Sequence, residues 1–473
     1  MRALVAGLAA GTLLLAGCTS GPDPRPTSDP SPTGRSGLDA ALSRPVEDRV
    51  YPQVGDPGVD ALHYDLDLTW TPATSTLDAV ETLVLRATSD ADHVQLDLEH
   101  ALAVSSVRVD GREVPASHDG KDLVVHTPVR ADRRYTLVLR YAGSPEPVAA
   151  PTTRSDFSTL GWTTTRQGGV WTMQEPFGAY SWYAVNDQPS DKALYDFTIS
   201  APSPMVGVAN GTLESRHDDG GTTVTRWHLD DPAASYLTTI AIGDFRETRD
   251  RSASGVPVTY WTPTDRPDLV ARMRPVADQL GWIEDRLGPY PFPSLGVVVV
   301  DSRSGMETQT MITLGRTAYD TSPEVLVHEM VHQWYGDEVT PADWRDVWMS
   351  EGMAMYLQGL WQAQRDHVPA RVLMARWARA EPLMRREYGP PADYDPESFG
   401  AGNVYYGPAL MWDQLRRRLG DQRFWSIARA WPAAHADANA SYADIAAFWS
   451  RRAGEDLRPV FDAWLLGKAS PPT

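Results

Sequence analysis

The sequence predicts a multidomain α+β protein, with an antiparallel β-sheet domain over residues 51–248 and a mainly α-helical domain over residues 249–473. Two observations carry this. The spacing of apolar residues changes from a period of two to a period near 3.6 close to residue 248. A chain of 473 residues, 42% hydrophobic and 22% charged, is also too long for one compact core and too apolar to stay unfolded.

In the first domain, short alternating runs are separated by Gly, Pro and Asp turns. Tyr64, Leu66, Leu68 and Trp70 alternate with Asp65, Asp67 and Thr69; Val94, Leu96 and Leu98 alternate with Gln95 and Asp97; Tyr135, Leu137, Leu139 and Tyr141 alternate with Thr136 and Arg140. Such runs bury one face and wet the other, as antiparallel strands do. Further strands are expected at residues 195–199 and 236–242, with no amphipathic helix between them.

In the second domain Leu269, Met273, Val276, Leu280 and Ile283 fall at helical spacing over residues 267–287, and Gly288-Pro289 stops the helix. Residues 295–300 are apolar throughout and close at Asp301, which suits a strand buried on both faces. From Ser322 onward helices dominate, with Trp431, Trp449 and Trp464 as expected core.

The first 50 residues stand apart from both domains. Arg2 precedes an apolar run over residues 3–16, shorter than the roughly 18 residues that a bilayer span needs, so it reads as a signal peptide. The run ends in Leu15-Ala16-Gly17-Cys18, which resembles a bacterial lipobox, and that resemblance implies lipidation of the Cys18 thiol. Residues 1–17 are then a lipoprotein signal peptide. Residues 18–50, rich in Ser, Pro, Thr, Gly and Asp, are a disordered tether that holds the folded part outside the cytoplasmic membrane. Cys18 is the only cysteine, which excludes a disulfide framework and a thiolate metal cage. Lys+Arg 43 against Asp+Glu 62 gives a net charge of −19, which disfavours nucleic acid as a partner.

The most specific local pattern is His328-Glu329-Met330-Val331-His332. On a helix, residues four apart share a face, so two imidazoles can converge on one ion. Ser322 suits the cap, Pro323 the first helical position and Gly336 the stop, while Leu326, Met330 and Trp334 supply an apolar stripe facing away from the histidines. Glu329 sits about 100° round the helix from His328, within reach of a water on the metal. The same pentapeptide also suits a helix with two hydrogen-bonded histidines. A second element decides: Trp348-Met349-Ser350-Glu351-Gly352-Met353-Ala354 places Glu351 nineteen positions after His332. Gly352 and Ala354 would let its helix approach the first closely. Two imidazoles and one carboxylate leave the fourth position of a zinc ion open for water, as in catalytic sites.

With these residues in view the chain resembles the gluzincin zinc aminopeptidases typified by aminopeptidase N, in which HExxH is followed after eighteen residues by a glutamate ligand. Trp334-Tyr335-Gly336-Asp337 and Asp343-Trp344-Arg345-Asp346-Val347-Trp348-Met349-Ser350-Glu351 resemble the family's intervening stretch, with Asp337 and Ser350 where asparagines are usual. The resemblance implies a thermolysin-like catalytic domain, one zinc ion held by His328, His332 and Glu351, and Glu329 as general base. Longer members continue into a helical C-terminal domain; this chain stops soon after Trp464-Leu465-Leu466, which implies a more open cleft.

Three further segments bear on substrate. Ser304-Gly305-Met306-Glu307-Thr308 resembles the family's Gly-x-Met-Glu-Asn motif, with Thr308 to Leu314 as an exposed edge beyond it. An edge strand offers backbone groups to an extended peptide, and Glu307 at its start would hold the peptide's ammonium, with Met306 beside it; a solvated strand-end glutamate is the alternative. Trp171-Thr172-Met173-Gln174-Glu175-Pro176 resembles the family's loop over the site, which makes Glu175 a second carboxylate for the amine and Gln174 its polar neighbour, unless Glu175 only caps a turn. Tyr405-Tyr406-Gly407-Pro408-Ala409-Leu410, before a helix expected to begin at Pro408, resembles the family's Tyr-x-Lys/Arg-Gly-Ala-Leu segment and aligns Tyr405 with the catalytic tyrosine. A phenol protonated at neutral pH can donate to a developing oxyanion; Tyr406 and a packing role stay open as alternatives.

The expected activity is hydrolysis of the N-terminal bond of peptides with a free amine, by a protein anchored through Cys18 to a bacterial membrane. An endopeptidase of the same class would have no need of Glu307 and Glu175. A surface binding protein that keeps the fold would have no need of all four residues of the zinc machinery.

Overall fold

The computed structural model describes residues 37–472. Cys18, the signal peptide and residues 18–36 of the expected tether lie outside the described residues. Residues 37–50 were expected in the tether, but they pack on the folded chain. The 3-10 turn Leu38–Ala41 buries Leu38 and Ala41 against Leu62 and Leu194. The Asp48 carboxylate accepts from the Trp344 amide at 2.7 Å, and the Arg49 guanidinium pairs with Asp343 at 2.8 Å. The overall polarity of the segment hid the few apolar and charged side chains that find partners.

The first domain is β-rich, as its alternation predicts. An eight-stranded sheet has Val59–Thr71 near its centre, antiparallel to Thr76–Ala87 on one side and parallel to Lys192–Pro202 on the other. A five-stranded sheet includes Thr159–Thr164, Val170–Met173 and Ile240–Gly243. Aromatic side chains from the alternating positions fill the space between: Trp70 meets Trp162 edge-on at 5.2 Å, and Tyr64 stacks on Tyr195 at 5.1 Å. The run expected as a strand at 236–242 opens instead as a 3-10 turn, Ser235–Leu237, and becomes a strand only at Ile240.

The changeover falls slightly before residue 248. Phe245–Arg251 pairs with Pro257–Pro263, which joins Leu295–Val300 and Met311–Gly315 in the second domain's sheet. Period-two patterning marks a strand but not the sheet it joins. Leu295–Val300 is buried along its whole length, as its apolar run requires. The helix expected over 267–287 is two, Asp268–Met273 and Pro275–Leu287, because Pro275 has no amide hydrogen to continue the ladder and instead starts a new first turn.

The helices that matter for the site are Pro323–His332, Trp348–Arg365, Ala370–Tyr388 and Gly402–Leu419. Behind them Trp348, Trp412, Trp431, Trp449 and Trp464 are buried in one core. The two domains are joined by polar bonds next to the first of these helices. Lys192 Nζ donates to the carbonyls of Asp337 at 2.8 Å and Glu338 at 3.2 Å, and Asn210 Nδ2 donates to the Gln309 carbonyl at 2.6 Å. Among the described residues no helix is long and apolar enough to cross a membrane.

Candidate active site

Ser322 accepts from the Val325 amide and Pro323 occupies the first turn, so the helix Pro323–His332 starts where the sequence predicts. Its last helical residue is His332, and the chain turns at Gly336, which adopts φ +143°. Leu326 and Met330 face the core, which turns His328 and His332 to the opposite side with ring centroids 4.8 Å apart. The helix Trp348–Arg365 brings Glu351 up in its first turn.

The Glu351 Oε2 atom lies 3.2 Å from His328 Nε2 and 3.5 Å from His332 Nε2. Atoms at the corners of a tetrahedron around a zinc ion, each about 2.1 Å from it, would stand about 3.4 Å apart. The donor set therefore fits a tetrahedral metal with three protein ligands. Burial opposes ionisation of Glu351, but the hydrogen bonds from His328 and His332 prevail and hold its carboxyl well below the usual range.

Glu329 points from the same helix toward the edge strand Gly305–Met306. A Cβ on Gly305 would come within 2.5 Å of Glu329 Oε1, so the carboxylate lies directly against the backbone of that strand. Burial, and then the charge of Glu307, push the Glu329 carboxyl well above its ordinary value. A buried carboxyl with raised proton affinity, beside the two histidines, suits a group that must take up and release a proton.

These residues line a cavity of about 430 Å³ together with Met306, Glu307, Glu175, Tyr405 and Tyr406. Glu307 is 4% exposed, and its Oε1 atom has no hydrogen-bond partner. Glu175 enters the same cavity from the β-domain; burial, then Glu307 and Glu351, raise its carboxyl well above the ordinary value. Buried carboxylates gathered around one space strongly favour a cation there. Tyr405 stands over the metal end with its ring 5.9 Å from that of His328, whereas Tyr406 packs edge-on against Trp377 at 5.3 Å.

Four expectations about this region are corrected. Gln174 does not line the cavity: its Nε2 atom donates to the Thr238 carbonyl at 2.6 Å and to the Ser235 carbonyl at 3.3 Å. Neighbouring residues on an extended chain face opposite ways, so Met173 and Glu175 reach the cavity and Gln174 faces the β-domain interior. The segment from Thr308 to Leu314 is not an exposed edge, because Met311–Gly315 lies between Leu295–Val300 and Gly305–Met306; the edge is Gly305–Met306 itself. Tyr405 belongs to the helix Gly402–Leu419, with Pro408 inside it and not at its start. Gly352 makes its close approach to Pro408 of that helix, where a Cβ would meet the proline Cβ at 2.3 Å, and not to the helix of His328.

Two residues that sequence reading passed over complete the site. Gln333 Nε2 donates to the Glu307 carbonyl at 2.8 Å and to Asp337 at 2.7 Å, while its Oε1 accepts from the Thr310 amide at 2.9 Å. It ties the segment that carries Glu307, just after the strand Gly305–Met306, to the helix of His328 and His332. Its position directly after His332 was the one available signal. Arg154, on a β-domain loop, donates from Nη1 to the Tyr405 hydroxyl at 3.1 Å. Nothing in the sequence around residue 154 points to a partner 251 positions away.

Two imidazoles from one helix, a glutamate from the next and an acid beside the first histidine define a gluzincin-type metallopeptidase centre. Residues 60–237 match the Peptidase M1 N-terminal domain and residues 273–464 match the Peptidase family M1 domain. The chain belongs to peptidase family M1, the family of aminopeptidase N. It is 24% identical over 327 residues to Aminopeptidase M1 of Arabidopsis thaliana, covering 63% of this chain and 37% of that protein. Aminopeptidase N of Streptomyces lividans is 23% identical, with 63% of this chain and 38% of that one covered. The chain thus spans well under half the length of these curated relatives. An M1 zinc metallopeptidase of Deinococcus radiodurans, solved as a glutamate-to-alanine variant with a Tyr-Ser-Ala substrate, is 26% identical with a TM-score of 0.82, and the match covers 90% of this chain and 99% of that one.

Proposed function

We propose that this chain is a zinc-dependent aminopeptidase that removes the N-terminal residue of peptides with a free amine. The observation that carries the reading is the pair Glu307 and Glu175 facing one cavity with His328, His332 and Glu351, where Glu307 Oε1 has no hydrogen bond and only a 3.8 Å contact with His332 Nδ1. An ammonium group satisfies both carboxylates and sets the first peptide bond at the metal end.

His328, His332 and Glu351 would hold the zinc ion, which when bound would supply Lewis acidity and acidify water. Glu329 takes the proton of the attacking water and passes it to the departing amine. Tyr405 donates its hydroxyl hydrogen to the oxygen on which charge develops. Met306 lines the wall beside the first side chain. Zinc and the metallopeptidase class agree with the Deinococcus zinc metallopeptidase, and the aminopeptidase reading agrees with the names of the curated relatives.

Purified protein that begins before Leu38, so that the packed segment stays intact, should cleave aminoacyl arylamides, leave N-blocked peptides untouched and lose turnover to a chelator. Internal cleavage of blocked peptides would assign an endopeptidase instead. Zinc binding without turnover of either substrate would assign a binding protein.

We also propose that Cys18 carries a lipid that holds the enzyme outside a bacterial cytoplasmic membrane. The support is the Leu15-Ala16-Gly17-Cys18 sequence at the end of a short apolar run. Metabolic labelling with a clickable fatty acid should mark the wild-type protein and not Cys18→Ser, which should leave the membrane fraction; an unlabelled wild type would refute the anchor.

A further inference from the structure

The loop that follows the β-domain's strand Val148–Ala149 crosses to the helix that carries Tyr405, and it is fastened there at several points. The Phe399 amide donates to the Pro151 carbonyl at 2.9 Å, and Thr152 Oγ1 donates to the Phe399 carbonyl at 2.7 Å. Arg154 then lies with its guanidinium 4.4 Å above the Phe157 ring. Its Nε and Nη2 atoms donate to the two oxygens of Asp156 at 3.2 and 2.5 Å. The remaining nitrogen, Nη1, donates to the Gly400 carbonyl at 3.3 Å and to the Tyr405 hydroxyl at 3.1 Å. Gly400 adopts φ +67°, and a Cβ there would come within 3.1 Å of Phe157 and 3.5 Å of Arg154 Nη1, so this backbone suits the close approach.

A guanidinium has five donors and no acceptor. In the Arg154–Tyr405 contact the phenol oxygen must therefore be the acceptor, and its own hydrogen must point elsewhere. Among the described residues no other protein group bonds that oxygen. The hydrogen is left free for the cavity that Tyr405 lines beside His328. The planar fork is fixed on three sides by Asp156, Phe157 and Gly400, so the direction from which the phenol is approached is fixed as well.

The geometry points to Arg154 as the positioning residue for Tyr405, fixing the phenol so that its hydrogen is presented to the substrate carbonyl oxygen. This inference rests on the proposed aminopeptidase reading, since it gives Tyr405 its donor role. It makes a loop of the β-domain a part of the oxyanion site, although Arg154 does not touch the reacting atoms.

A double-mutant cycle tests it. Arg154→Ala, Arg154→Gln and Arg154→Lys are made in the wild-type and Tyr405→Phe backgrounds, with zinc content and melting temperature as controls for the fold. The substrate is an aminoacyl arylamide, which has no carboxylate for arginine to bind. In the wild-type background kcat should fall about tenfold or more with KM changed less than about twofold, and Arg154→Lys should recover part of the loss. In the Tyr405→Phe background the same substitution should cost less than about twofold. The affinity of a phosphinic dipeptide, a tetrahedral mimic, should follow the same cycle, and this binding readout holds even if the protein proves to have no aminopeptidase turnover. An equal loss in both backgrounds would overturn the inference, as would a loss confined to KM or seen only with peptides that end in a free carboxylate. If Arg154→Ala loses its fold, the glutamine and lysine variants decide the cycle by the same criteria.

Discussion

His328, Glu329, His332 and Glu351 stand on two helices, Pro323–His332 and Trp348–Arg365, whereas Glu175 and Arg154 stand on loops of the β-domain that close the cavity from the other side. The helical wall is set by local geometry. A four-residue interval brings two imidazoles to one face, and a buried stripe fixes which way that face turns. The loop wall is set by contacts between residues far apart in the chain, such as Arg154 with Tyr405, 251 positions away, supported by Asn210 with Gln309, 99 positions away, and Arg49 with Asp343, 294 positions away. In the proposed function the helical wall therefore holds the metal and the base, while selectivity for a free amine and orientation of the tyrosine depend on how the two domains meet.

Damage to the helical wall should be the most severe. Removing the metal by chelation, or replacing His332 with Ala, should abolish turnover, and stoichiometric zinc should restore only the chelated wild type. Measured zinc content that stays at one per chain in His332→Ala would show that His332 is not a ligand. Glu329→Gln should keep the zinc and lose turnover by on the order of 10³- to 10⁴-fold, since the ligands stay and the proton acceptor goes. Tyr405→Phe, at the meeting of the two walls, should lower kcat by about 10²- to 10³-fold with little change in KM. A comparable defect in Tyr406→Phe alone would move the donor to the neighbouring position.

The smallest expected effect lies away from the cavity and sharpens the contrast between structural and functional acids. Glu81 is buried in the β-domain; its Oε2 accepts from the Ala184 amide at 2.9 Å and from the Tyr141 hydroxyl at 3.1 Å, and its Oε1 has no partner. Burial raises its pKa from 4.5 to about 8, against the lowering by these two hydrogen bonds. Between those two values the folded chain keeps a proton that the unfolded chain releases, so this group lowers stability as pH rises from 4.5 to about 8. Glu81→Gln should remove that slope. The melting temperature of the variant relative to wild type should rise between pH 5 and pH 8, by an amount that reflects a few kcal/mol at most, roughly. A difference independent of pH would mean that Glu81 is ionised in the folded protein.

The same division governs what the sequence could reveal. The two-domain order, the helix start at Ser322 and the ligands' spacing follow from periodicity, capping and helical geometry, all of which act within a few residues. Gln174 was misread because a motif match does not say which way an extended side chain turns. The strand Phe245–Arg251 was divided between domains because alternation carries no information about sheet partners. Residues 37–50 were read as a tether because four buried side chains, Leu38, Ala41, Asp48 and Val50, are lost in a polar average. Arg154 was invisible for the opposite reason: its meaning lies wholly in the residue that it meets.

In the proposed function Glu307 from the helical domain and Glu175 from the β-domain jointly hold the substrate's amine. The most direct test is the ratio of kcat/KM for a free aminoacyl substrate to that for the matching N-blocked one, measured in Glu175→Ala, Glu307→Ala and the double variant with zinc content verified in each. The ratio should fall partly for each single change, because the remaining carboxylate still pairs with the ammonium, and the preference should be lost in the double variant. A double variant that retains zinc and prefers free amines as strongly as the wild type would contradict this joint role and move the ammonium site elsewhere.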